Sequence, residues 1–317
     1  MKIVILEGNA VNPGDLSWDI LYQFGEVVVY PSTPQMQIIE RIGDADAIII
    51  NKSPITAEVM QACPNLKLIC LAATGYNCVD CEAARKLGVT VCNVPGYGTD
   101  AVAQFTFSLL LELCNRVGQH DQFVQRGGWC KCPDFCYWET PQMELAGKTI
   151  GIIGFGKIGQ AVAKIANAFN MKVLAYNRSR CPEGEALGTY VDLDTLLQTA
   201  DIISLHCPLT AETEGLINAN TLSRMKTGAI LLNTARGGLI VEQDLKEALE
   251  NRKLRGAAVD VVSAEPIKAD NPLLNASNCI ITPHMAWTPI EARQRIIDCI
   301  VSNIQGYLDG NPINVVN

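Results

Sequence analysis

The chain is poor in histidine, with three in 317 residues, and poor in aromatics, at 6%. It has no apolar run near the ~18 residues that a membrane-spanning helix needs, and no stripe of clustered Lys and Arg. The first lack argues against a membrane span. The second, with a net charge of -8, argues against nucleic acid or an anionic membrane as partner, because phosphates are held by clustered cations. The opening "MKIVILEGNA" has one lysine and an apolar run too short for a secretory signal, so a cytoplasmic protein is expected. Scarce histidine also narrows the chemistry: an acid–base imidazole has to be His120, His206 or His284.

Cysteine is plentiful, at thirteen, but the count is odd and many lie in apolar runs, as Cys70, Cys92 and Cys114 do. Free thiols there act as small hydrophobes, and no disulfide framework is expected. Cys130, Cys132 and Cys136 stand close together in "WCKCPDFC" without a fourth ligand at a familiar spacing, so the stretch reads as a reduced, aromatic-rich loop rather than a metal site.

Apolar runs alternating with helical patterns dominate the rest. "KIVILEG", "VVVY", "AIIINK", "LKLICLAA" and "VTVCNV" read as five strands apolar on both faces, as a covered parallel sheet requires. Thr56 is expected to cap one intervening helix and Gly88 to end another. Thr99 or Asp100 should cap a long apolar helix, followed by an irregular aromatic segment. A second series, "TIGIIG", "KVLAYN", "DIISLHC", "AILLNTA", "GAAVDVV" and "CIITP", follows, with a shorter strand near Tyr190. A final helix from about Pro289 to Asp309 buries one face. The fold class is therefore α/β, with two doubly wound parallel sheets.

"GIIGFGKIGQ" places Gly154, Gly156 and Gly159 in the G-x-G-x-x-G spacing between a strand and a helix. That context suits a dinucleotide: Gly154 for the tight turn, Gly156 for close approach of the pyrophosphate, Gly159 for helix–sheet packing. Lys157 and Ile158 open the helix whose N-terminus faces the phosphates. The next strand ends in "YNRSR". A carboxylate usually stands there to receive the ribose hydroxyls, and it repels a 2′-phosphate. Asn177 offers no repulsion, while Arg178, Ser179 and Arg180 offer donors to a phosphate. NADP(H) is favoured over NAD(H), the alternative being a solvated arginine-rich loop beside NAD.

Ligands of open parallel sheets sit beyond the carboxyl ends of the strands. Three strands of the second series deliver Arg236, Glu265 and His284 there, an acid–base and anion-binding set. Taken singly, each has a duller role as a turn or solvated loop residue. Of the three histidines, only His284 shares the final strands with a glutamate, and His206 lies toward the adenine side.

"GFGKIG", "NTARGGLIVEQDL", "AAVDVVSAEP" and "ITPHMAW" together resemble the D-isomer-specific 2-hydroxyacid dehydrogenases, in order over essentially the whole chain. "LAATGYNCVD" and "NVPGYGTDAVAQ" resemble the glycerate dehydrogenase (hydroxypyruvate reductase) branch. The resemblance implies a flavodoxin-like substrate domain, residues 1–98 plus 287–317, and an inserted Rossmann nucleotide-binding domain, 99–286, with the active site in the cleft between them. It implies a homodimer built through the helix after Thr99 and the aromatic loop. It also implies hydride transfer from NAD(P)H to a small 2-oxo acid, with His284 giving the proton, Glu265 fixing its tautomer and Arg236 polarising the carbonyl. Gly75 and Tyr76 would hold the substrate carboxylate. Thr99, Asn233, Thr234, Ala235 and Asp260 match cofactor-contacting positions, with Asp260 toward the nicotinamide amide, and Cys207, Pro208 and Thr210 match the adenine side. The loop 52–54 and the segment around Phe135, Tyr137 and Trp138 would set side-chain specificity. Hydroxypyruvate or glyoxylate is the expected substrate, with lactate, 2-hydroxyglutarate or a nucleotide-sensing regulator of the same fold as alternatives. The Asn177 position departs from NAD-specific members.

Overall fold

The five β-branched runs of the first hundred residues form one parallel sheet: β1 (Lys2–Ile5), β2 (Glu26–Val29), β3 (Ala47–Ile50), β4 (Leu68–Leu71) and β5 (Thr90–Cys92). Their spatial order is β2-β1-β3-β4-β5, the flavodoxin-like arrangement. The computed structural model describes residues 1–317 and divides into two compact units, Met1–Gly98 with Trp287–Asn317 and Thr99–Ala286. β3 and β4 are buried at every position, which is why neither shows polar alternation.

Helices cover both faces of this sheet. Ile38, Ile42, Met60 and Ala84, from three short helices, pack with Val4, Ile48 and Ile69 on one side. On the other, the helix Ile290–Leu308 lays Ile296, Ile297, Ile300 and Ile304 against Ile3, Ile5 and Leu68. Each isoleucine buried this way contributes ~1.5–3 kcal/mol. Thr56 caps its helix by accepting from Val59 N–H, and Gly88 closes another at φ +70°, as their positions in the sequence suggest. The chain end returns to the sheet edge, where Asn317 accepts from Val91 N–H at 2.9 Å and blunts β5.

The second unit holds β6 (Thr149–Ile153), β7 (Lys172–Tyr176), β8 (Thr189–Tyr190), β9 (Ile202–Leu205), β10 (Ala229–Asn233), β11 (Leu254–Val259) and β12 (Cys279–Ile281). They form one parallel sheet in the order β12-β11-β10-β9-β6-β7-β8, which is the doubly wound dinucleotide-binding order with one added strand. Its switch point falls between β6 and β9. The helices Thr99–Asn115 and Lys157–Ala168 cover one face through Phe107, Leu110, Val162 and Ala163. Leu196, Leu222 and Leu245 from three further helices cover the other. No helix is long and apolar enough to cross a membrane.

Two local expectations change. Thr99 and Asp100 lie inside the first turn of their helix rather than capping it, because the helix already begins at Thr99. The segment after it is not wholly irregular, since Val117–Gln125 is helical after a break at Arg116, which sits at φ +51°. That helix buries no residue in the single chain, and its polar run Gln119–His120–Asp121–Gln122 interrupts the apolar periodicity by which its sequence would announce it.

Candidate functional site

Each glycine of the phosphate loop has a visible reason. Gly154 sits at φ +93°, and a β-carbon there would come within 2.3 Å of Cys207 N, so the turn passes directly over the exit of β9. A β-carbon on Gly159 would lie 2.3 Å from the Gly154 carbonyl oxygen, so the helix packs down on the loop. At Gly156 a β-carbon would meet nothing within 4 Å. The space before the helix N-terminus at Lys157 and Ile158 is therefore open, which is what a pyrophosphate needs. The residues present fit a dinucleotide.

Asn177 follows β7 and is bonded into this loop. Its Oδ1 accepts from Phe155 N–H at 3.2 Å, and its Nδ2 donates to the Ser179 carbonyl at 2.9 Å. The amide thus joins the glycine-rich turn to the arginine-bearing one. Arg178, Ser179 and Arg180 are exposed. The Arg180 guanidinium lies 5.5 Å from the centre of the Tyr190 ring, whose edge meets Phe155. Beyond β9, Thr210 Oγ1 donates to Glu212 at 2.7 Å. That bond, with the Arg178 charge nearby, holds the Glu212 carboxyl below its usual value. Thr213 Oγ1 donates to Pro208 O at 2.7 Å and fixes the turn after Cys207.

The three histidines separate cleanly. His120 bonds to Arg116 O and Glu139 N, and so secures the 116–139 segment. His206 shares a 2.8 Å hydrogen bond with Ser204, and burial pushes its imidazole down to about 4, so it is neutral at physiological pH. Only His284 meets a carboxylate: its Nδ1 lies 2.7 Å from Glu265 Oε2. An ionised carboxylate only accepts, so Nδ1 carries the proton and Nε2 is the outward nitrogen. Glu265 is itself held by Val262 N–H, which donates to Oε1 at 3.3 Å.

His284 stands at φ +52°, an uncommon place for a side chain with a β-carbon. Asp260 holds it there. Asp260 is 1% exposed, its carbonyl accepts from His284 N–H at 2.8 Å, and its carboxylate accepts from Thr282 Oγ1, Met285 N–H and Ala286 N–H at 2.5, 2.9 and 2.8 Å. Its bonds go to the turn that carries His284, a use of Asp260 that its sequence position did not suggest. Thr282, unremarked in the sequence, belongs to the same set.

Arg236 follows β10 on a turn organised by buried Asn233, whose Nδ2 donates to Arg236 O and whose Oδ1 accepts from Ala235 N–H. Thr234 Oγ1 reaches Thr106 Oγ1 at 3.0 Å. A β-carbon on Gly237 would fall 1.9 Å from the Val262 carbonyl carbon, so this turn is pressed against the exit of β11. The Arg236 guanidinium is exposed, bonds only the neighbouring Ala235 carbonyl, and makes no ion pair. An unneutralised guanidinium after β10 and a carboxylate-oriented imidazole after β12 thus stand at the carboxyl edge of one sheet, with Glu265 following the strand between them. Thr99 lies in the first turn of its helix in this unit. In the other unit, Gly75 and exposed Tyr76 follow β4, at the carboxyl edge of that sheet. No cluster of three or more His, Cys, Asp or Glu side chains forms a metal site.

A doubly wound dinucleotide unit with a carboxylate-bound imidazole at its carboxyl edge fits a nicotinamide-dependent oxidoreductase. The family model described as D-isomer specific 2-hydroxyacid dehydrogenase, NAD binding domain, matches residues 107–286. The chain belongs to the D-isomer specific 2-hydroxyacid dehydrogenase family. It is 52% identical over 321 residues to a hydroxypyruvate reductase of Blautia hydrogenotrophica, covering 100% of both chains. To a glycerate dehydrogenase of Methylorubrum extorquens it is 40% identical, covering 99% of this chain and 98% of the relative. Among solved structures, an acyclic imino acid reductase in complex with NADPH and D-Arg superposes with TM-score 0.86 at 33% identity, covering 100% of both.

Proposed function

We propose that the protein reduces hydroxypyruvate to D-glycerate, and glyoxylate to glycolate, with NADPH preferred over NADH. The observation that carries the substrate is the 52% identity to a hydroxypyruvate reductase along the full length. The cofactor preference rests on Asn177 standing where a repelling carboxylate would be, with Arg178, Ser179 and Arg180 beside it.

Gly154, Gly156, Lys157, Ile158 and Gly159 would hold the pyrophosphate, Asn177 to Arg180 the adenosine ribose, and Cys207, Pro208 and Thr210 the adenine. Thr99, Asn233, Thr234, Ala235 and Asp260 complete the cofactor side, Asp260 by holding the turn around it. Bound there, the reduced nicotinamide supplies a hydride. Arg236 draws charge onto the substrate carbonyl oxygen by charge-assisted hydrogen bonding. The backbone of Gly75 and Tyr76 receives the substrate carboxylate. His284 delivers a proton from Nε2 to the developing alkoxide while Glu265 keeps Nδ1–H engaged, which fixes the ring and its tautomer.

The same proposal includes a homodimer. Phe135 at 89% exposure, Trp138 at 62% and Val117 at 64% are left uncovered in the single chain, and burying them against a second copy would remove that apolar surface from water. The decisive experiment is kcat/KM for hydroxypyruvate with NADPH and with NADH, on wild type and on the Arg178→Ala, Arg180→Ala double variant. NADPH should win, and the double variant should lose most of that advantage. Equal use of NADH would make the arginines surface charge. Tight binding of both nucleotides without turnover would point instead to a nucleotide-sensing regulator.

A further inference from the structure

In the first unit the strand order reverses between β1 and β3, so the crevice of that sheet opens beyond the carboxyl ends of these two strands. Glu7 follows β1, and Asn51, Lys52 and Ser53 follow β3. One oxygen of Glu7, Oε2, accepts all three of their backbone N–H groups, at 2.8, 2.9 and 2.9 Å. Successive amides converging on one point make an anion-binding nest. Here the chain supplies the anion itself.

The segment so held is tied onward. Asn51 Nδ2 donates to Ala72 O at 2.9 Å, just past β4. Ile55 N–H donates to Cys78 O at 2.8 Å, and Asp80 N–H donates back to Ile55 O at 3.0 Å, closing an Ile55–Val79 bridge. Hydrogen bonds therefore run from Glu7 through residues 51–55 to both ends of the turn that carries Gly75 and Tyr76. A surface carboxylate with no further task would be solvated. This one organises the Lys52–Ser53–Pro54 loop at the switch point, where a ligand of this sheet is expected.

We infer that Glu7 is a positioning residue for substrate specificity: its carboxylate fixes the 52–54 loop so that the loop reads the group attached to the substrate's carbonyl carbon. This deepens the proposed function and rests on it. Without the carboxylate, three donors lose their shared acceptor and the loop relaxes. Hydroxypyruvate, which has a hydroxymethyl group to be read, should suffer more than glyoxylate, which has only hydrogen there.

The test is steady-state kinetics of full-length wild type, Glu7→Ala and Glu7→Gln with NADPH and each of the two acids. Glu7→Ala should raise KM for hydroxypyruvate about tenfold or more, with a smaller change in kcat, and lower the hydroxypyruvate-to-glyoxylate ratio of kcat/KM by a similar factor. KM for NADPH should not move. Glu7→Gln keeps an acceptor in place and should fall between. Millimolar acetate, which replaces the deleted carboxylate, should restore part of the ratio in Glu7→Ala, whereas chloride at equal ionic strength should not. If Glu7→Ala does not fold, the ratio in Glu7→Gln decides. An unchanged ratio, or equal losses on both acids, in an active protein would overturn the role of Glu7 alone. Wild type inactive on both acids would overturn the proposed function and this inference with it.

Discussion

Asp260→Asn changes one atom in a buried carboxylate. Its oxygens accept from Thr282 Oγ1 and Met285 N–H on one side and from Ala286 N–H on the other. An asparagine oriented to keep the first two presents its NH2 group to the Ala286 N–H, donor against donor, and the flipped orientation sets the same clash on Met285. At least one backbone N–H is thus left unsatisfied beside Ala286, which is 2% exposed, at a cost of ~1–3 kcal/mol. The surviving bonds lose their charge assistance, which about halves their strength. The sum is roughly 2–4 kcal/mol, or a fall of about 5–15 °C in Tm for a domain of this size. Because the same turn holds His284 at φ +52°, kcat should drop ~10- to 100-fold through misplacement of the imidazole. Thermal unfolding and steady-state kinetics on the purified variant read both effects. Wild-type Tm and kcat in Asp260→Asn would refute the claim that Asp260 is what holds His284.

Two further outcomes follow from other parts of the chain. Asn177→Asp keeps the acceptor for Phe155 N–H, loses the donor to Ser179 O, and adds a charge that repels a 2′-phosphate. The NADPH-to-NADH ratio of kcat/KM should fall by about tenfold or more, equivalent to ~1.4 kcal/mol. In the first unit, Arg293, 8% exposed, donates to both oxygens of Asp15 at 2.6 Å. The hydrogen bond from Arg293 is the main reason the Asp15 carboxyl is held below its usual value. A carboxyl depressed in the folded state stabilises above its unfolded pKa of ~3.9 and loses that contribution as pH falls through the lower folded value. Asp15→Asn should therefore lower Tm at pH 7, and the gap to wild type should narrow below about pH 4. A gap constant from pH 7 to pH 3 would exclude this pair as its source.

Both parallel sheets were legible because their central strands are short apolar runs buried on both faces. The glycine loop was legible for the same kind of reason: two of its three glycines, Gly154 and Gly159, would place a β-carbon within 2.3 Å of backbone, while Gly156 leaves open space. His284 emerged because histidine is scarce. The structure gives it the only carboxylate partner among the three histidines. What the sequence could not show was how polar side chains spend their bonds. Asp260 stands 25 and 26 residues before the amides of Met285 and Ala286 that it holds, and Glu7 stands 44 to 46 residues before its three donors. Nothing local marks either pairing. Each becomes visible only when parallel strands bring their ends together. The helix Val117–Gln125 escaped for the opposite reason, its apolar periodicity being interrupted by the polar run Gln119–His120–Asp121–Gln122.

The central claim is that His284, held by Glu265, protonates a 2-oxo acid reduced at the carboxyl edge of the second sheet. The most direct test compares wild type with His284→Ala on hydroxypyruvate and NADPH, following both NADPH loss and D-glycerate formation, with nucleotide binding measured separately. Wild type should yield one D-glycerate per NADPH consumed. His284→Ala should bind NADPH as well but turn over ~10²–10⁴-fold more slowly. Wild-type rates in His284→Ala would contradict the account at its core, as would no D-glycerate from a wild type that binds NADPH.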